Sequence, residues 1–249
     1  ASGEYSTVGG GYQNTASDYA ATIGGGSSNE ASASYSTVGG GSNNQAIGGT
    51  SIVGGGYGNI ASAATSTIGG GNENQASGSS STIGGGSNNQ ASGDYSIIGG
   101  GDGNEASEVQ STIGGGISNT ASGYRSTIGG GYYNVASSDT STVGGGFFNT
   151  ASGPSSTISG GEDNIASGFK SFIGGGQMNV ASAENSAIVG GAYNNTSTFA
   201  STIIAGSGIT ADQSGCTFVS KLSIKSIPTS AAGLPSGSVW NNGGVLNIV

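Results

Sequence analysis

Ser6-Thr7-Val8-Gly9-Gly10-Gly11-Tyr12-Gln13-Asn14-Thr15-Ala16-Ser17-Asp18-Tyr19-Ala20 is a 15-residue block whose reading decides the fold. It recurs about fourteen times as Ser-Thr-Ile-Gly-Gly-Gly-x-x-Asn-x-Ala-Ser-x-x-x. An Ile or Val returns at Val8, Ile23, Val38, Val53, Ile68, Ile83, Ile98, Ile113, Ile128, Val143, Ile158, Ile173, Ile188 and Ile203, with Phe218 one period further on. An Asn returns at Asn14, Asn29, Asn44, Asn59, Asn74, Asn89, Asn104, Asn119, Asn134, Asn149, Asn164, Asn179 and Asn194. The phase reads as unbroken, without insertion or deletion. Phase held over that length means one coil of a solenoid, stacked on itself.

Within the coil, Ser6-Thr7-Val8-Gly9 alternates as a short strand does. Val8 and Ser6 share one face, Thr7 and Gly9 the other. The Ile/Val row goes inside, because it is the one large apolar row in every coil. Gly9-Gly10-Gly11 gives a tight reversal. Asn14 tolerates a left-handed backbone, and its amide, stacked coil on coil, predicts a hydrogen-bonded ladder. Ala16-Ser17 opens a second strand, and the variable residues Asp18-Tyr19-Ala20 form an exposed turn. Strands stacked ~4.8 Å apart make a rod on the order of 65 to 70 Å long. Repeated Gly-Gly-Gly and the lack of i, i+3, i+4 apolar spacing exclude a helical reading. The predicted class is therefore all-β, a parallel β-solenoid or β-roll. It spans 1–219, with a degenerate last coil at 206–219.

Composition narrows the function. Charged residues are 7% of the chain, too few for the usual disordered polyelectrolyte. Gly, at 54 of 249 residues, is not at every third position, so collagen is excluded. Four basic residues against a net charge of −9 argue against nucleic acid and anionic lipid. No stretch approaches the ~18 to 20 apolar residues of a membrane helix, and we expect no membrane insertion. No signal peptide is visible. Ala1-Ser2-Gly3 stands in mid-repeat, which reads as a piece of a longer protein. Histidine is absent, which removes Ser-His-Asp and Cys-His catalysis and the usual zinc sites. Gly-Gly-Gly is followed by no Lys-Ser/Thr, so it is not a phosphate loop. The scattered carboxylates lack calcium-loop spacing. We expect no enzyme activity, metal or cofactor. Cys216 stands alone and reads as a small buried residue of the last coil.

Two surface rows remain. One is Thr7, Thr22, Thr37, Thr67, Thr82, Thr112, Thr127, Thr142, Thr157 and Thr202, interrupted by Ile52, Ile97, Phe172 and Ala187. It serves strand propensity and packing between chains. Ranked Thr is also what ice-binding solenoids present, a further reading. The other feature is the aromatic set Tyr124, Tyr132, Tyr133, Phe147, Phe148 and Phe169, in adjacent coils. Tyr132/Tyr133 and Phe147/Phe148 fall at the same two positions one coil apart and should stack. Exposed aromatic patches mark recognition surfaces or lateral packing. Meanwhile each coil supplies little apolar burial against the cost of ordering its residues. Burying a second face against identical chains would offset that deficit.

The blocks Ala-Ser-Gly-x-x-Ser-Thr-Ile-Gly-Gly-Gly-x-x-Asn resemble the head repeats of YadA-like trimeric autotransporter adhesins, over roughly residues 1–205. The resemblance implies a left-handed roll, three chains side by side, and an adhesive surface. After Phe218 the period ends. Leu222-Ser-Ile-Lys-Ser-Ile-Pro-Thr-Ser begins another module, and Val239-Trp240 and Val245–Val249 read as strands joined by Asn241-Asn242-Gly243-Gly244. Ile224, Ile227, Leu234, Trp240 and Leu246 give it apolar bulk. This segment resembles terminal pieces of phage and other virus structural proteins. The expectation for 220–249 is a small β cap and trimerisation module that covers the open strand edge. The functional expectation is a homotrimeric fibre or spike subunit, extracellular on a virion or cell surface, meeting a glycan or protein receptor. The first choice is a viral or phage appendage; the head of a bacterial adhesin is second, the ice-binding solenoid third.

Overall fold

Every coil hands its backbone N–H groups forward to the next. Thr112 donates to Ser126 O (2.9 Å), Gly114 to Ile128 O (2.9 Å), and Thr120 to Asn134 O (2.9 Å). The corners hand theirs backward, Ser118 to Asp102 O (2.9 Å) and Arg125 to Val109 O (3.0 Å). Parallel pairing fifteen residues on is the outcome: Thr112 faces Thr127 and Ile113 faces Ile128. This computed structural model describes residues 1–221, 228–236, 238–242 and 245–248. It contains a parallel sheet of 15 strands built from the Thr-Ile pairs, and one of 12 strands built from the pairs ending in Ala. The chain is an all-β parallel solenoid of about fourteen coils, with no helix among the described residues. A third column of single-residue bridges runs from Tyr12↔Ser27 to Gln177↔Ala192. It has no counterpart in the expectation, which had two strands per coil.

The interior is a set of stacked identical rows. From Ile23 to Ile188 the Ile/Val residues are fully buried, as are the Ala residues from Ala16 to Ala181. The Ser row also points inward, from Ser36 to Ser186. Several of its hydroxyls close the preceding turn, as Ser66 Oγ does on Ala63 O (2.7 Å) and Ser111 Oγ on Glu108 O (2.6 Å). The Asn row carries the densest bonding. Asn104 Nδ2 donates to Gly100 O (3.0 Å), Gly116 O (2.9 Å) and Asn89 Oδ1 (3.1 Å). Its own Oδ1 accepts from the Asn119 backbone N–H (3.0 Å) and Nδ2 (3.1 Å). A buried amide pays its desolvation back only through such bonds, and here donor and acceptor are both used.

Three expectations need correction near the end of the solenoid. Ile203 does not continue the inward row: it is 44% exposed, and Ile204 is fully buried in its place. Ile188 pairs with Ile204, sixteen residues on, and a register irregularity sits between Ile188 and Gly190. The extra residue turns Thr202 inward as well, into the Ser row, where its hydroxyl donates to Phe199 O (3.2 Å). The next step is one residue short. Ile203 N–H donates to Cys216 O (3.1 Å), which returns Phe218 to the core wall. Cys216 is half-buried rather than buried.

The chain divides into two compact units, Ala1–Phe218 and Val219–Val249. The second contains an antiparallel hairpin, Val239–Asn242 with Val245–Ile248, in which Val239 faces Ile248 and Asn242 faces Val245. Ile224 and Ile227, and the Gly243-Gly244 turn of the expected hairpin, lie outside the described residues.

Candidate functional site

Besides the third glycine of each triplet, each coil turns two corners where one residue takes a left-handed backbone. One corner is in phase with Tyr5 (φ 59°), the other with Gln13 (φ 53°). Most of these residues are not glycine; they include Tyr133 (φ 52°) and Phe148 (φ 54°). An L-residue there costs roughly 1 to 2 kcal/mol, so the side chains are carried against a penalty that glycine would avoid.

Tyr132, Tyr133, Phe147 and Phe148 meet on the second corner. Tyr132 and Phe147 are bridge partners, and Phe148 N–H donates to Tyr132 O (3.0 Å). Coil stacking therefore places the rings, and they interlock. Tyr133 and Phe148 lie parallel, centroids 5.4 Å apart with 3° between planes. Tyr132 sets its edge against Tyr133 (4.4 Å, 84°) and Phe148 (5.7 Å, 86°), and tilts against Phe147 at 6.0 Å. Offset-stacked and edge-to-face pairs are the favoured arrangements of aromatic quadrupoles. Rings that hold one another in place still face water: Phe147 is 57% exposed, Phe148 47% and Tyr133 46%. The Tyr132 phenol is pushed above the ordinary tyrosine value, first by desolvation among its neighbours, then by the adjacent Tyr133.

Tyr124 and Phe169 are not part of this cluster. They lie on the first corner, in phase with Glu4, three coils apart from each other. Each ring is covered by the cation that follows it in sequence: Arg125 lies 4.7 Å from the Tyr124 centroid and Lys170 4.8 Å from that of Phe169. A second cluster on that first corner went unpredicted. Tyr5, Tyr19 and Tyr35 pack edge to face in succession, 5.4 Å apart at each step. Tyr19 is one position out of phase with the other two, so a search at exact period passes over it.

The Thr row is half-exposed along most of its length and gives way to exposed Ile52, Ile97 and Phe172. Among the described residues there is no surface pocket and no group of three or more metal-ligating side chains.

Residues 156–168 match a family model described as the ubiquitous surface protein adhesin repeat. The matched segment is most of one coil, from the inward Ser156 through Ile158 and Asn164 to the turn at Gly168. It includes Glu162 and Asp163, which occupy the second corner one coil beyond Phe147 and Phe148. No curated protein matches the chain.

Proposed function

We propose that this chain is a rod segment of a surface adhesin, with three copies packed side by side and the corners carrying contact residues outward. Its role is mechanical and adhesive, not catalytic, and its place is extracellular, at a cell surface. The adhesin-repeat match favours the bacterial alternative over the viral appendage that the C-terminal resemblance suggested. A virion fibre would use the same rod and differ in its anchor.

The observation that carries the lateral packing is the middle glycine of each triplet. The third glycine is needed inside the chain. Gly101, for example, has φ 99°, and a Cβ there would collide with the Gly116 carbonyl. The middle row, from Gly10 to Gly190, is different. A Cβ on any of these residues meets no atom closer than 3.8 Å. Only Gly175, at φ 151°, has a positive φ. Apart from Gly175, neither a close contact nor a positive φ within one chain calls for glycine there, yet all 13 coils keep it. A neighbouring backbone lying along the row would call for it, because only glycine lets two main chains approach that closely. The Thr/Gly face beside it is flat enough to receive that neighbour.

Light scattering on the purified chain tests this. The expected mass is three times 23.5 kDa. Replacing Gly100 and Gly115 together by Ser should lower the mass while the far-UV circular dichroism stays that of β-structure. A wild-type monomer, or an oligomer indifferent to these substitutions, would overturn the packing.

A further inference from the structure

We infer that the aromatic ledge and the carboxylates beside it form a docking surface for a basic peptide segment, one presenting Arg or Lys side chains. The inference rests on the reading of the ledge as a contact surface and adds the chemistry of what it contacts.

The second corner changes character along the rod. In the N-terminal coils its two outward positions hold Ser27/Ser28, Ser42/Asn43, Asn72/Glu73, Ser87/Asn88 and Asp102/Gly103, with isolated Tyr12 and Tyr57. From Ile117 onward it becomes Tyr132/Tyr133, Phe147/Phe148, Glu162/Asp163, Met178 and Tyr193. Ile117, Met178 and Tyr193 are exposed like the rings. Large apolar side chains thus line one corner over five coil steps, roughly 24 Å, with a pair of carboxylates set into the run.

The carboxylates sit one coil from the rings. Phe147 is the bridge partner of Glu162, and Asp163 N–H donates to Phe147 O (2.9 Å). Among the described residues, the side-chain partner of Glu162 is Gln177, whose Nε2 donates to Oε2 at 3.3 Å. Arg125 and Lys170 stand on the other corner, each over an aromatic ring. A neutral occupant such as a sugar would desolvate two adjacent anions without neutralising them. A guanidinium would stack on the exposed rings and fork its N–H groups to the carboxylates. The net charge of −9 would steer such a partner inward at long range.

The test uses the whole chain immobilised on a biosensor, with a soluble peptide of alternating Arg and Gly and its citrulline counterpart as probes. The Arg peptide should bind, the citrulline peptide should bind at least about tenfold more weakly, and added salt should weaken the Arg complex. Glu162→Gln with Asp163→Asn should weaken Arg-peptide binding about tenfold, as should Tyr133→Ser with Phe148→Ser. Glu73→Gln with Asp102→Asn, on the polar part of the same corner, should change it less than twofold. Circular dichroism checks that each variant keeps its fold. Equal binding of the two peptides, or indifference to the carboxylate substitutions, overturns the basic-peptide assignment. If a neutral oligosaccharide binds and only the aromatic substitutions abolish it, the ledge remains a contact surface and the assignment of its ligand is wrong. If the aromatic substitutions leave cell attachment of the intact oligomer unchanged, the contact-surface reading itself falls.

Discussion

Asn88 and Asn89 are neighbours in sequence and belong to different regimes. Asn89 is buried in the ladder, bonded to Asn74, Gly85 and Gly101. Asn88 is on the corner, its amide bonded to the Ser87 hydroxyl beside it (2.9 Å). The contrast extends to the whole solenoid. Inside, a residue is dictated by its equivalents in the coils before and after, and one or two closely similar types fill most of each row. At the corners the backbone is dictated but the side chain is free, so the same position holds Ser, Glu, Phe or Met. The rows build the rod, and the corners are where one rod differs from another.

The sharpest way to break this contrast is Asn104→Asp against Asn88→Asp. The first puts an acceptor-only carboxylate among the carbonyls of Gly100 and Gly116. It should cost about 4 kcal/mol or more in urea unfolding. The second should change stability by less than about 0.5 kcal/mol. Comparable losses would mean the ladder is not what holds the coils. Next in size is Ile113→Ala, which leaves a hole in a row with no slack and should cost about 2 to 4 kcal/mol. Ile117→Ala, four residues later and exposed, should cost under about 0.5 kcal/mol by the same urea unfolding. Thr202→Ala probes the slipped coil. Its hydroxyl is fully buried and bonded, and losing it should cost about 1 kcal/mol, a loss that Thr112→Ala on the outward row should not match. The smallest effect is spectroscopic. The causes that raise the Tyr132 pKa act against its phenolate, so part of that rise should vanish in Tyr133→Phe. In an alkaline absorbance titration, Tyr132 should then ionise at lower pH than in the wild type. No change would detach the two rings from each other electrically.

The interior was legible because it repeats. Val8, Ala16 and Asn14 recur in phase, and a row that recurs can be assigned to a face by its chemistry alone. What escaped was whatever lacks a period or a contrast. The column of bridges through Tyr12 and Ser27 is one residue wide, so no alternation marks it as strand. Ser201-Thr202-Ile203-Ile204 offers an apolar residue at either phase, and only packing decides that Ile204 enters the core. The three glycines of a triplet look alike in sequence, and their separate duties appear only when a Cβ is placed on each. The corner rings were half legible. Tyr132 over Phe147 follows from the period, whereas the separation of Tyr124 and Phe169 depends on where the coil bends.

The identity of successive coil joints has a consequence for how such a molecule changes over generations. Thr82 meets Ile97 and Ile97 meets Thr112 in the same register. Removing the fifteen residues from Ile83 through Ile97 would bring Thr82 onto Thr112, a joint of a kind the rod already contains. Recombination between near-identical coding units can therefore lengthen or shorten the rod in steps of ~4.8 Å with no new interface to invent. Reach becomes a trait that selection can adjust by counting.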